Sequence, residues 1–316
     1  MAFDVPILLC VFNRPELTAR VFEAIARQKP KNLLVAADGP RENRPDDRSL
    51  TEQTRRIVER IDWDCVVQAR FSATNLGCRQ QVAQAISWGF GQFEQLIILE
   101  DDCVPHDSFF PYCRELLEQY AEQTHIMTIS GNSYPSPGTN PYHYRFSKYP
   151  LIWGWASWRR AWKHYDLEMK SWSSVENQHR VLGQYTESSA EREYWHSIFT
   201  RQHAGEINTW DYSWTYASWL NDGLTILPER NLVSNIGFGN SATHTFDTQS
   251  PMANRSTYPV EIRRHPERIE RDVEADRVIR RIVFEPEPIV ARHRSIVTRL
   301  VDFTTRPRSI TKLFHI

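Results

Sequence analysis

The sequence predicts an α/β fold, with a mostly parallel sheet flanked by helices and a less regular α+β half following it. Three observations predict it. Over roughly the first 130 residues, short apolar runs rich in strand formers alternate with segments of helical periodicity. Those runs are apolar at successive rather than alternate positions, which suits strands covered on both faces. Near residue 134 the texture changes to a Pro- and Gly-rich loop, "YPSPGTNPYHY", followed by a Trp-rich segment.

The first run, "VPILLCVF" (5–12), reads as a strand. Pro15 suits a first helical turn, and Leu17, Val21 and Ile25 recur four apart on one helical face. "NLLVAAD" (32–38) is a second strand that stops at the turn signal Asp38-Gly39-Pro40. "RENRPDDRS" is a loop and "LTEQTRRIVERI" a second helix. "CVVQAR" (65–70) is a third strand. "CRQQVAQAISWGFGQF" (78–93) is a helix on Val82, Ile86 and Phe93, weakened near its end by Gly89 and Gly91. "QLIILEDD" gives the fourth strand, "SFFPYCRELLEQYAEQ" another helix and "HIMTISG" another strand. The expected organisation is a ligand-binding half over 1–132, a second half of the same domain over 133–245, and a C-terminal extension over 246–316 that is basic at its end.

Composition narrows the functional classes. The chain has 316 residues, 41% apolar and 24% charged, with a formal net charge of −1, so nothing draws it globally to nucleic acid or acidic lipid. Its five cysteines are odd in number and form no CxxC pair, which reads as reduced thiols. "MAFDVPILLCVF" lacks the basic start of a secretory signal, and no run is long enough to span a bilayer, so a cytoplasmic protein is expected. The last 25 residues carry Arg292, Arg294, Arg299, Arg306, Arg308 and Lys312 against Asp302 alone. Such a tail reads as a peripheral contact with the inner face of a membrane, as a helix packed on the body, or as an oligomer contact.

The chemistry begins at Glu100-Asp101-Asp102, three acids that end the fourth apolar run. Open parallel sheets bind ligands at the carboxyl ends of their strands. Carboxylates there can hold a hard divalent cation, Mg²⁺ or Mn²⁺, whose shell a diphosphate and water complete. The plainer alternative is a solvated turn. No GxxxxGK[ST] occurs, and "FNRPEL" rather than GxGxxG follows the first strand, so neither a P-loop nor a dinucleotide fingerprint is present. A metal with basic side chains is then the remaining way to hold phosphate, and Arg14 and Arg79 are the candidates. Asp38, at the end of the second strand, could accept hydrogen bonds from a base or ribose.

Taken together, "PILLCVFNRPEL", "LLVAADGP", "NLGCRQQVAQAISWGFGQFEQLIILEDDCVPHDSFF", "PLIWGWASWRRAWKHYD", "NTWDYSW" and "LPERNLVSNIGFGNSATHT" resemble, in order and spacing, GT-A fold glycosyltransferases. The likeness is greatest to the N-acetylglucosaminyltransferase I type and its bacterial relatives, and covers roughly residues 5–245. It implies a Rossmann-like GT-A fold and an inverting, metal-dependent enzyme. Such an enzyme moves a sugar from a UDP-sugar, UDP-N-acetylglucosamine in the family, to a glycan or glycoconjugate hydroxyl. By resemblance, Asp102 would coordinate Mn²⁺ or Mg²⁺, and Asp101 would contact ribose or support the site. Arg14, Asp38 and Arg79 would line the nucleotide pocket, Asp211 would be the catalytic base, and His244 would touch metal or diphosphate. For His244 a plain loop histidine is the simpler reading, and for Asp211 a structural aspartate between Trp210 and Trp214 is the alternative. The chain departs from the family pattern at Tyr212, where the family has a second acid. Glu100 is expected to be structural.

Eleven tryptophans are unusual, and nine fall between Trp153 and Trp219. Trp155, Trp158 and Trp162 are three and four apart, one face of a helix, so packing is expected of most of them. Trp153, Trp210 or Trp214 is the expected sugar contact. Two other functions fit the same pattern less well. A sugar nucleotidyltransferase would want a Gly-rich basic loop after the first strand, and a non-catalytic carbohydrate-binding protein could retain the fold.

Overall fold

A computed structural model describes residues 3–134, 142–239 and 249–284. The first half follows the predicted alternation. β1 (Ile7–Val11), α1 (Pro15–Gln28), β2 (Asn32–Ala37), α2 (Asp47–Arg55), β3 (Val66–Phe71), α3 (Gly77–Gln92), β4 (Gln95–Glu100), β5 (Cys103–Pro105), α4 (Phe109–Gln119) and β6 (Ile126–Ser130) succeed one another. Pro15 opens α1, where its missing N–H costs nothing. Along β1 the side chains divide by pleat. Ile7, Leu9 and Val11 enter the core under α1 and α4, whereas Leu8 and Cys10 enter the one under α3.

The second half adds β7 (Tyr144–Ser147), β8 (Trp155–Trp158), the single turn α5 (Arg159–Trp162), and the helices α6 (Val175–Tyr185), α7 (Ser189–His203) and α8 (Asp211–Leu220). β9 (Leu224–Pro228), β10 (Val233–Asn235) and α9 (Val273–Ile279) complete the described residues. One eight-stranded sheet runs through both halves in the order β3-β2-β1-β4-β8-β6-β9-β7. β3, β2, β1 and β4 are mutually parallel, the order of a Rossmann-like half. β8 enters antiparallel between β4 and β6. β10 pairs antiparallel with β5 in a separate two-stranded ribbon.

Two sequence expectations change. β3 is not covered on both faces: Val66, Val67 and Phe71 are exposed at the sheet edge. Trp155 and Trp158 do not share a helical face, because residues 155–158 are a strand. Residues three apart on a strand point to opposite sides, and the two rings enter different cores. Burial of most tryptophans does hold, with Trp155, Trp172, Trp195, Trp210, Trp214 and Trp219 all fully enclosed.

All five cysteines are free thiols, and Cys10, Cys103 and Cys113 are buried. Among the described residues no helix is long and apolar enough to cross a membrane. Of the extension, residues 254–258 run beside β10, with Asn254 N–H on the Asn235 carbonyl and Tyr258 N–H on the Asn231 carbonyl, each at 2.9 Å. α9 then docks beside β7 through Asp276, which accepts from Ser147 and Arg271. The basic tail, 292–316, lies outside the described residues.

Candidate active site

β1 and β4 are parallel neighbours with Cys10 opposite Glu100, so their carboxyl ends emerge side by side. The residues that follow meet at once. Phe12 N–H donates to Asp101 Oδ2 at 3.2 Å. Arg14, one residue before α1, turns its guanidinium onto both aspartates, with Nη1 on Asp102 Oδ2 at 2.9 Å and Nη2 on Asp101 Oδ1. Burial alone would lower the Arg14 pKa, but the charges of Asp101 and Asp102 raise it, so the group stays cationic. For Asp101, burial raises the carboxyl and Arg14 only partly offsets this.

The two aspartates are not equivalent. Asp101 is 2% exposed and committed to Phe12 and Arg14. Asp102 is 9% exposed, and among the described residues its Oδ1 meets only the weak Cys103 thiol donor, at 3.4 Å. The chain after β10 passes directly over it. Ile236 N–H donates to the Asp102 carbonyl at 2.8 Å. A Cβ on Gly237 would stand 2.0 Å from Asp102 Oδ2, a contact only glycine permits.

These groups wall a cavity of about 620 Å³, within the usual range for small-molecule sites. Arg14, Asp38, Asp101, Asp102 and Asp211 all line it, as do Trp153 and Trp210. Asp211 is the first residue of α8, where a carboxylate suits the helix dipole, and it accepts from Thr209 Oγ1. Trp153 packs edge-to-face on Phe238, with centroids 5.6 Å apart.

Other expected residues behave differently. Asp38 lines the cavity, but its acceptor positions are filled. Oδ1 takes Gly39 and Leu76 N–H at 2.8 Å each, and Oδ2 takes Asn75 Nδ2 at 2.9 Å and Gly77 N–H at 3.0 Å. A carboxylate has about four such positions, so Asp38 ties down the loop that opens α3 and has none left for a ribose. Arg79 turns away: it donates to the Leu167 carbonyl at 3.2 Å and pairs with Glu168 at 3.2 Å. The phase of α3 explains this, since Cys78, Gln81 and Val82, spaced i, i+3 and i+4, face the cavity instead. Trp214 is fully buried, with Nε1 on Thr128 Oγ1 at 3.1 Å, and offers no surface to a sugar. His244 lies outside the described residues.

Sequence reasoning missed Glu100, which lines the cavity instead of serving only as scaffold. Burial, then Asp102 and Asp101, push its carboxyl up to about 8, and Asp211 adds to the effect. Cys78 is raised by burial and by Glu100, Asp211 and Asp102, so these acids share one electrostatic neighbourhood. Six acids, Glu100 among them and largely protonated at neutral pH, face the guanidinia of Arg14, Arg41 and Arg201, so the lining still carries more negative than positive charge.

The donor chemistry is compatible with a hard divalent cation that keeps most of its shell for water and phosphate oxygens. Each aspartate has two of its acceptor positions filled, but Asp102 is the more open to the cavity, at 9% exposure against 2% for Asp101. Among the described residues no cluster of three or more His, Cys, Asp or Glu forms a closed metal cage, so a bound ion would depend on its ligand for much of its coordination.

The fold and cavity define an α/β protein whose Rossmann-like half carries an acidic site at its strand ends. No protein-family model matches the sequence, and no curated protein is detectably similar to it. Among solved structures the chain is similar to a UDP-glucose pyrophosphorylase complexed with UDP-glucose, at 7% identity and a TM-score of 0.33, over 71% of this chain and 90% of that one. A likeness that low assigns neither family nor activity.

Proposed function

We propose that the protein is an inverting glycosyltransferase of GT-A type, dependent on Mn²⁺ or Mg²⁺. It would move a sugar from a UDP-sugar to a hydroxyl of a glycan or glycoconjugate. The observation that carries this reading is one cavity walled by Arg14, Asp101, Asp102 and Asp211, although Asp102 and Asp211 stand 109 positions apart in the sequence. Sugar transfer from a diphosphate needs the charge of the leaving group neutralised and the acceptor hydroxyl deprotonated. Asp102 would hold the metal, which when bound neutralises charge on the diphosphate. Arg14 fixes both aspartates. Asp211 is the proposed base, taking the acceptor proton from the face opposite the diphosphate, which inverts the anomeric centre. Trp153 would offer its ring to the sugar face.

A nucleotidyltransferase would need room to enfold a triphosphate after β1, and only residues 12–14 separate β1 from α1. The test is donor hydrolysis. UDP-N-acetylglucosamine and other sugar nucleotides are incubated with the protein and Mn²⁺, and UDP release is followed. Release that EDTA stops and Asp102→Asn abolishes supports the proposal. Pyrophosphate formed from a nucleoside triphosphate would replace it with nucleotidyl transfer. Binding of donors without turnover, with any acceptor, would leave a carbohydrate-binding protein.

A further inference from the structure

A second cavity, of about 460 Å³, opens beside β10 and includes Arg230, Arg255, Tyr258, Ser133, Asn231 and Glu229 in its wall. Nothing in the transferase chemistry above uses it. Its charge is unbalanced, with two guanidinia against one carboxylate, and Glu229 is already engaged by His143 Nδ1 at 3.5 Å. Arg230 is exposed and, among the described residues, has no carboxylate partner; its guanidinium lies 5.9 Å from the Tyr258 ring. Arg255 is half-buried over Tyr134, with the guanidinium 4.8 Å from the ring; its Nη2 donates to the Ser133 carbonyl at 3.0 Å and its Nη1 to the Pro251 carbonyl at 3.3 Å, which fixes the charge in the wall. Tyr258 is 48% exposed. A half-exposed aromatic ring, with one guanidinium over it and a second in the same wall, fits a sugar that bears an oxyanion.

Position links the two cavities. Asn235 lines the acidic cavity and Asn231 lines the second one. Four residues of extended chain separate them, about 13 Å at strand rise, so one oligosaccharide could reach both.

We propose that this second cavity binds an anionic sugar unit of the acceptor, a uronic acid or sugar phosphate. Its carboxylate or phosphate lies against Arg230 and Arg255, and its ring on Tyr258. Calling the ligand an acceptor rests on the transferase reading; the anion site itself does not.

Binding is read by saturation-transfer NMR on the full chain, without donor, using methyl β-glucuronide, glucose 6-phosphate and neutral methyl β-glucoside. The expected result is that one or both acidic sugars bind about tenfold or more tightly than the glucoside. Arg230→Ala should erase that difference, and Tyr258→Ala should weaken acidic and neutral sugars alike. The tighter of the two acidic probes identifies carboxylate or phosphate as the anion. Equal affinity for neutral and acidic sugars, or an acidic preference unchanged in Arg230→Ala, overturns the proposal. Arg230 is exposed, so its removal does not threaten folding. UDP release without an anion preference would sink this inference alone. An anion preference without UDP release would sink the transferase reading alone.

Discussion

Replacing Arg14 by Met tests the keystone of the acidic cavity. The Arg14 side chain is 17% exposed, and the Asp101 and Asp102 side chains only 3% and 12%. Removing one partner from a buried ion pair costs about 3–5 kcal/mol, because the remaining charge is stranded. Here two carboxylates are stranded, but Asp101 keeps the Phe12 N–H and Asp102 borders the open cavity. The lower end, about 3 kcal/mol, is therefore expected, which is a fall of about 6 °C in Tm at roughly 2 °C per kcal/mol. Calorimetry at neutral pH in EDTA measures it. The pH dependence has a definite sign. Burial already holds the Asp101 carboxyl above its ordinary range, and without the guanidinium it rises further. The folded variant then takes up a proton at a pH where the unfolded chain, with an Asp pKa of about 3.9, remains ionised. Acidification from neutrality toward about pH 4 should therefore favour the folded variant and narrow the gap to the parent protein. A loss under about 1 kcal/mol, well below the buried-pair range, or a gap that widens on acidification, would show that the guanidinium is not the charge these aspartates need.

Lys148 and Glu191 form an enclosed pair at 2.7 Å, each side chain 2% exposed. Lys148→Met should cost about 3 kcal/mol in urea denaturation, and adding Glu191→Leu should restore part of it, less the acceptor that Tyr149 Oη and Glu187 N–H then lose; a double variant no better than the single one contradicts this. Burial alone would raise the Glu191 carboxyl, but hydrogen bonds from Lys148 and Glu187 N–H hold it below its ordinary range. The stability it contributes is thus present above about pH 4.5 and lost as pH falls through the lowered value; Glu191→Gln should flatten that acid limb. Gly237→Ala puts a methyl where Asp102 Oδ2 now lies, so UDP release should fall at least about tenfold for lost positioning, and parent-like rates would mean that Asp102 need not stay where it is. Asp211→Asn should lower kcat by about 10²–10⁴ while the donor KM holds, the pattern of a lost general base; a rise in KM alone would make Asp211 a binding residue.

What was legible in the sequence follows a physical division. Apolar runs and helical spacing report burial, so β1, β2, β4, α1 and α3 could be read to within a residue or two, as could the carboxylates ending β4. Periodicity is silent about which strand lies beside which. β4 pairs with β8, more than fifty residues onward, and not with β6, which follows it in the chain. Trp153 stands two residues before β8, so this insertion fixes it at the acidic edge. The β8 stretch misled because tryptophans three apart fit a helix face as well as the two sides of a fully covered strand. Arg14, Asp38 and Arg79 show the finer limit. All three stand at strand–helix junctions, but their roles depend on what else is within reach. Arg14 finds two carboxylates, Asp38 finds one donor beside it and three in the loop that opens α3, and Arg79 begins a helix whose phase turns it toward Glu168. Glu100 adds the converse case, because a pKa near 8 arises from burial beside Asp101 and Asp102, and no spacing of letters carries the cost of desolvation. A junction residue can therefore be nominated from sequence, but its chemistry is decided by which acceptors, donors and charges the strand order brings to it.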